Sequence, residues 1–243
     1  MTVCLVTSWD DGHPLDERLG ELLQRHGVKG TFFVPIRNAE GLPTLAVEAL
    51  RRLDAVHEIG SHTYDHCYLR TVTEEEARRQ VSMGKSALQD RLGHEVAGFC
   101  YPGGKYDARV TQTVRAAGFR YARTVENLRT DRSLEPFEVP TTLQFYPHSA
   151  AVLARNLVRY PDRLRKLELL HRLAWRRPLE EQLAAAAAYA SSRDGVLHIW
   201  GHSWELERFD LWGRLERFLR QMHDVPFEAL TVGDLVSRSP RVA

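Results

Sequence analysis

Two carboxylates stand side by side in Trp9-Asp10-Asp11-Gly12, directly after an apolar run at residues 3–8. Such neighbours repel each other and are expensive to bury unless a cation compensates them. Further on, His62 and His66 lie four apart in Gly60-Ser61-His62-Thr63-Tyr64-Asp65-His66. In a first helical turn that spacing would place both imidazoles on one face, within reach of one ion. One carboxylate and two imidazoles form a facial metal set that leaves positions open for water and substrate. The second carboxylate is then free to act as a base on the attacking water. A third imidazole follows the last strong apolar run, in Trp200-Gly201-His202-Ser203-Trp204-Glu205, and could donate a proton to a leaving amine. The outline is that of metal-assisted hydrolysis.

Residues so far apart in sequence meet only if the elements carrying them end at one place. Short apolar runs predict strands at 3–8, 31–35, 57–61, 97–101, 120–124, 138–142 and 195–200, and a final short piece at 228–231 leads into 232–237. Between them, helical spacing predicts helices at 15–26, 45–53, 73–92, 107–117, 150–175, 178–191 and 207–223. No repeat and no Pro/Gly/Ser-rich linker divides the chain, so residues 1–243 read as a single α/β domain, an incomplete (β/α) barrel of about seven strands. In such a barrel the C-terminal strand ends converge on one mouth, where active sites are found. Each candidate residue follows a predicted strand.

Composition bounds the remaining choices. The chain has 243 residues, with 43% hydrophobic and 27% charged, an ordinary globular balance. Its 33 Lys+Arg against 32 Asp+Glu give a net charge of +1, which argues against nucleic acid as a partner. No apolar run is long enough for a transmembrane helix. Three cysteines, Cys4, Cys67 and Cys100, make no disulfide framework and suit a reducing compartment. The N-terminal stretch lacks a basic region before its apolar run, so a cytoplasmic protein is expected. A basic helical segment occupies about 150–191, with Arg155, Arg159, Arg163, Arg165, Lys166, Arg172, Arg176 and Arg177 among apolar residues. It reads first as an outer helix with a solvated basic face. The alternative is a surface for an anionic substrate or for a partner subunit of a homo-oligomer.

The order of these motifs resembles the polysaccharide deacetylase family, which shares the NodB homology domain (carbohydrate esterase family 4). Ser8-Trp9-Asp10-Asp11 matches its first motif, His62-Thr63-Tyr64-Asp65-His66 its second, and Cys100-Tyr101-Pro102-Gly103 part of its third. Leu197 and His202 answer the last. The resemblance runs from about residue 2 to residue 235 and implies a distorted, incomplete (β/α) barrel. It implies that Asp11, His62 and His66 bind a divalent metal, zinc or in some members cobalt, nickel or another ion. It further implies that Asp10 is the general base and His202 the general acid. Tyr101, Pro102 and Gly103 are expected at the oxyanion and substrate, with a main-chain N–H near Gly103 as donor.

Two departures stand out. The arginine that pairs with the base in the family is Cys100 here, and Arg123 at the next strand end is the candidate replacement. No Asp–Trp motif supports the acid His, and Glu205 and Asp131 are both candidates for that part. Cys100 itself reads as a small packing residue, Trp200 as site support, and His198 as a competitor of His202 for the acid role. The expected function is hydrolysis of a non-peptide amide C–N bond, foremost N-deacetylation of an N-acetylated sugar or glycan precursor. The alternatives are an allantoinase-like or cyclic-imidase-like amidase on a small-molecule amide, and a non-catalytic metal- or carbohydrate-binding protein.

Overall fold

Strand β1 (Val3–Asp10) is buried along its whole length, as befits a strand covered on both faces. Strand β7 (Val196–His202) lies parallel along one edge, from Cys4 opposite Val196 to Asp10 opposite His202. Two strands share the other edge. β8 (Phe227–Leu230) pairs with Val3–Val6, and β2 (Gly30–Val34) pairs with the Thr7–Asp10 end. Beyond β2 follow β3 (Glu58–Ser61), β4 (Gly98–Cys100) and β5 (Tyr121–Arg123), and beyond β7 lies β6 (Leu143–Gln144). The parallel sheet therefore runs β5-β4-β3-β2-β1-β7-β6 with β8 off this path. This computed structural model, which describes residues 2–148, 163–173 and 178–240, is a distorted and incomplete (β/α) barrel.

Helices α1 (Asp16–Arg25), α2 (Val47–Asp54), α3 (Glu74–Leu92) and α4 (Ala108–Ala116) connect the first five strands. Helices α5 (Arg163–Leu173), α6 (Leu179–Ser191), α7 (Ser203–Arg208), α8 (Trp212–Met222) and α9 (Val232–Arg238) follow. Their starts and stops are written locally. The Thr73 hydroxyl caps α3 by accepting from the Glu76 N–H at 3.2 Å, and Gly93, at φ 81°, ends it. Helix α8 turns Trp212, Leu215, Phe218, Leu219 and Met222 inward at helical spacing. The core joins such faces to Trp9, Phe32, Phe99, Leu197 and Ile199 from the strands. Burying each such side chain is worth about 1.5–3 kcal/mol. No helix among the described residues is long and apolar enough to cross a membrane.

Three expectations need correction. Residues 138–142 form no strand. Val139 makes one isolated bridge to Arg123, Pro140 has no N–H to extend a ladder, and the strand proper is β6. The helix expected at 207–223 is two helices, because Asp210 adopts φ 50° between α7 and α8. In the basic segment, Arg155, Arg159, Trp175, Arg176 and Arg177 lie outside the described residues. Within α5, Lys166 is not on a solvated face: it is fully buried and pairs with Glu126 at 2.6 Å.

Candidate active site

At the C-terminal end of β1 the chain must turn sharply. Asp11 adopts φ 78° and Gly12 φ 58°, and a Cβ on Gly12 would sit 2.6 Å from Val34 Cγ1. Only glycine fits that turn, which aims Asp10 and Asp11 into the mouth. Both carboxylates are buried, yet their surroundings differ. The Arg123 guanidinium, fully buried at the end of β5, makes an ion pair and hydrogen bond with Asp10 Oδ1. The Cys100 thiol donates to Asp10 Oδ2 at 3.7 Å. Burial pushes the Cys100 thiol well above its usual range, so it stays a proton donor rather than a nucleophile.

Asp11 faces imidazoles instead. Its Oδ1 lies 3.2 Å from His66 Nε2 and 3.8 Å from His62 Nε2. Its Oδ2 accepts from Trp204 Nε1 at 2.9 Å. Burial raises the Asp11 carboxyl, but His66, His202 and His62 outweigh it and hold it below the usual carboxylate range. The two histidines do not share a helical turn, as their spacing suggested. Thr63 at φ 66° and His66 at φ 58° break any helix, and the loop itself brings the rings to 5.0 Å between centroids. Helix α3 holds that loop. The Gln80 carbonyl accepts from Tyr64 N at 3.0 Å, and its side chain bonds Asp65 N at 2.9 Å and Asp65 Oδ2 at 2.8 Å. Gly84 lets α3 approach so closely that a Cβ there would lie 2.8 Å from the Thr63 carbonyl carbon.

His62 Nδ1 donates to the Cys100 carbonyl at 2.8 Å, which leaves Nε2 as the free lone pair facing Asp11. Burial lowers His62 to about 4, so it is a neutral ligand-type imidazole near neutral pH. One donor atom each from Asp11, His62 and His66 can be chosen within 4.8 Å of one another. Asp11 Oδ1 is buried without a hydrogen-bond partner, a costly arrangement unless something else satisfies it. A carboxylate and two imidazoles with an unsatisfied oxygen between them fit a divalent cation.

His202 enters from the end of β7. Its Nδ1 hydrogen-bonds Glu205 Oε2 at 2.8 Å, and its Nε2 lies 3.9 Å from Asp11 Oδ2. Burial opposes protonation, but Glu205 and Asp11 prevail and raise His202 to about 9. Glu205 thus takes the supporting place for which Asp131, paired with Arg129 at 2.6 Å, also stood in sequence. His198 does not compete: it is buried between Ser8 Oγ and the Pro140 carbonyl, 2.9 Å from each, and burial lowers it to about 3.

A cavity of about 270 Å³ gathers Asp10, Asp11, His62, His66 and His202 with Gly103 and Trp200. Glu40, Tyr68, Val125 and Trp204 complete its wall. Tyr101 and Pro102 do not line it. The Tyr101 ring is buried, with its hydroxyl donating to the Phe137 carbonyl at 3.0 Å, and its N–H is spent on the Arg123 carbonyl at 3.3 Å. Trp200 Nε1 is fixed by Asn127 Oδ1 at 2.9 Å. Glu40, Tyr68, Trp204, Gln80 and Gly84 escaped the sequence reading. Only Trp204, two residues past His202, carried a signal that could have found it.

The polysaccharide deacetylase family model matches residues 3–122. The chain is 35% identical over 89 residues to the peptidoglycan-N-acetylglucosamine deacetylase of Bacillus cereus, covering 36% of this chain and 31% of that protein. It thus spans about a third of that relative's length. Among solved structures, the chitin deacetylase of Colletotrichum lindemuthianum matches with TM-score 0.62 at 18% identity, over 99% of this chain and 92% of the other. A CE4 family pseudoenzyme from Bacillus anthracis matches with TM-score 0.60 at 16% identity, over 99% and 67%. Likeness at that level speaks for the fold, which active and inactive proteins share.

Proposed function

We propose that the protein is a divalent-metal-dependent hydrolase that removes acetyl groups from N-acetylated sugars, a reading supported by the match of residues 3–122 to the polysaccharide deacetylase family model. The observation that carries this reading is the division of labour around one cavity: a three-residue ligand set, a separate carboxylate, and a carboxylate-backed histidine. Asp10 also groups with His62 and Cys100, but its own buried arginine holds it beside the Asp11–His62–His66 set, which favours a base over a ligand and catalysis over binding alone.

Asp11, His62 and His66 would hold the cation, which when bound polarises the acetyl carbonyl and acidifies water. Trp204 and the Cys100 carbonyl orient two of those ligands. Asp10 takes a proton from the attacking water, while Arg123 pairs with the carboxylate and fixes it in place. Water oxygen bonds to the acetyl carbon, and the carbonyl π electrons move onto its oxygen. His202 then gives its Nε2 proton to the amide nitrogen, and the oxyanion electrons re-form the carbonyl as the C–N bond breaks. Glu205 stabilises the imidazolium before that transfer. Acetic acid and the free amine leave. The acetic acid loses its proton to solvent, while the proton on Asp10 returns to His202 through water. Tyr68, Trp200 and Trp204 offer aromatic faces suited to a pyranose ring.

Metal-loaded protein is offered N-acetylglucosamine oligomers alongside cyclic ureides and imides, and acetate or ring opening is measured. Acetate release is expected from the oligomers. Asp10→Asn should cut it by about 10³-fold, the scale of a general base, with metal content unchanged. Turnover of the cyclic amides alone would replace the sugar reading, and unchanged turnover in Asp10→Asn would remove the proposed base.

A further inference from the structure

We infer that Glu40 is a positioning residue for His66, orienting its imidazole from the side away from Asp11 and thereby setting how tightly the site holds a divalent cation. The inference rests on the metal-dependent reading above. His66 presents Nε2 to Asp11 Oδ1 at 3.2 Å. Its other nitrogen, Nδ1, is buried and has no hydrogen-bond partner. Glu40 Oε1 stands 3.7 Å from that nitrogen, a gap that a small rotation of a half-exposed glutamate closes. Histidines that bind metals commonly hand their second N–H to a carboxylate or carbonyl, which fixes the tautomer and the ring orientation. His62 already does so through the Cys100 carbonyl. His66 has Glu40 in the corresponding place.

Glu40 is built into that position. The loop after β2 is bonded to the histidine loop by Ile36 N and Arg37 N on the Tyr64 carbonyl, at 3.0 and 2.9 Å, and by Ala39 N on the Asp65 carbonyl at 3.1 Å. Arg37 pairs with Asp65 at 2.7 Å, and Asn38 Oδ1 accepts from Glu40 N at 2.8 Å. The Tyr68 hydroxyl donates to Glu40 Oε1 at 2.6 Å, and the Lys105 ammonium covers the Tyr68 ring at 3.9 Å. The two loops therefore move as one, and the carboxylate travels with the imidazole it orients.

The test is cobalt(II) affinity, measured by competition with a chromophoric chelator and by the visible absorption of the bound ion. Glu40→Ala is expected to weaken binding about 10- to 100-fold and to alter the cobalt spectrum. Glu40→Gln, which keeps an acceptor oxygen, should recover most of the affinity. A wild-type protein that takes up no cobalt overturns the underlying metal reading, and this inference with it. Wild-type uptake together with a Glu40→Ala affinity within twofold overturns the inference alone.

Discussion

The barrel places acidic groups at both ends, and they are used differently. At the end opposite the mouth, Glu58 borders a cavity of about 470 Å³, larger than the one around the Asp pair. Its Oε2 accepts from Thr31 Oγ1 at 2.8 Å and from Gly233 N at 3.0 Å, at the start of α9. Those bonds are internal to the fold and fix α9 against β2 and β3. At the mouth, Asp11 Oδ1 and His66 Nδ1 are buried without a hydrogen bond, and their neighbours are ion-pair partners at 3.2 Å or more. A larger cavity thus accompanies a carboxylate committed to structure, and a smaller one accompanies groups held in readiness. The set of converging donor atoms marks the site better than volume does.

Substitutions at the two ends should separate along the same line. The largest effect is expected for Arg123→Met. It strands Asp10 as an uncompensated buried charge and should cost about 3–5 kcal/mol of stability, read by urea unfolding, together with most of the turnover. A loss below 1 kcal/mol would mean that Asp10 finds another partner. Next is Glu205→Gln. His202 is raised to about 9, so its acid form persists to that pH and activity should fall as pH rises through it. Without the Glu205 charge the fall should move toward 6.5, measured as the alkaline limb of the kcat/KM profile. An unmoved limb would place the titration elsewhere. The smallest effect belongs to Glu58→Ala, about 1–2 kcal/mol of stability from its lost hydrogen bonds, with kcat and KM unchanged. Any loss of turnover there would break the division between the two ends.

Much of the site was readable because its residues follow strands. Period-two alternation and a common mouth for parallel strand ends bring Asp10, Asp11, His62, His66 and His202 together before any coordinate is known. Arg123 was readable for the same reason, as the cation nearest a strand end. Tyr101 was not, since β4 is only three residues long and the main chain beyond it turns the ring into the core. Glu40 sits in a loop without periodicity, where only bonds to a second loop define its place. The break at Asp210 depends on one left-handed residue, which spacing of apolar positions cannot report. Residues 138–142 have strand composition, but Pro140 stops the ladder.

The sharing of one edge of β1 between β8 and β2 has a consequence for how the molecule opens. From Cys4 to Asp10, β1 is paired on both sides, so those amides should exchange with solvent only when the whole sheet comes apart. The loop after His62, together with the loop after β2 to which it is bonded, is fastened to α3 through Gln80, contacts that a local fluctuation can release. Partial opening therefore carries His66 away from Asp11 while the strand that carries both aspartates, and His62 bonded to β2 and β4, remain in place. The ion would escape before the fold is lost, and recharging the protein would require only that one loop close again.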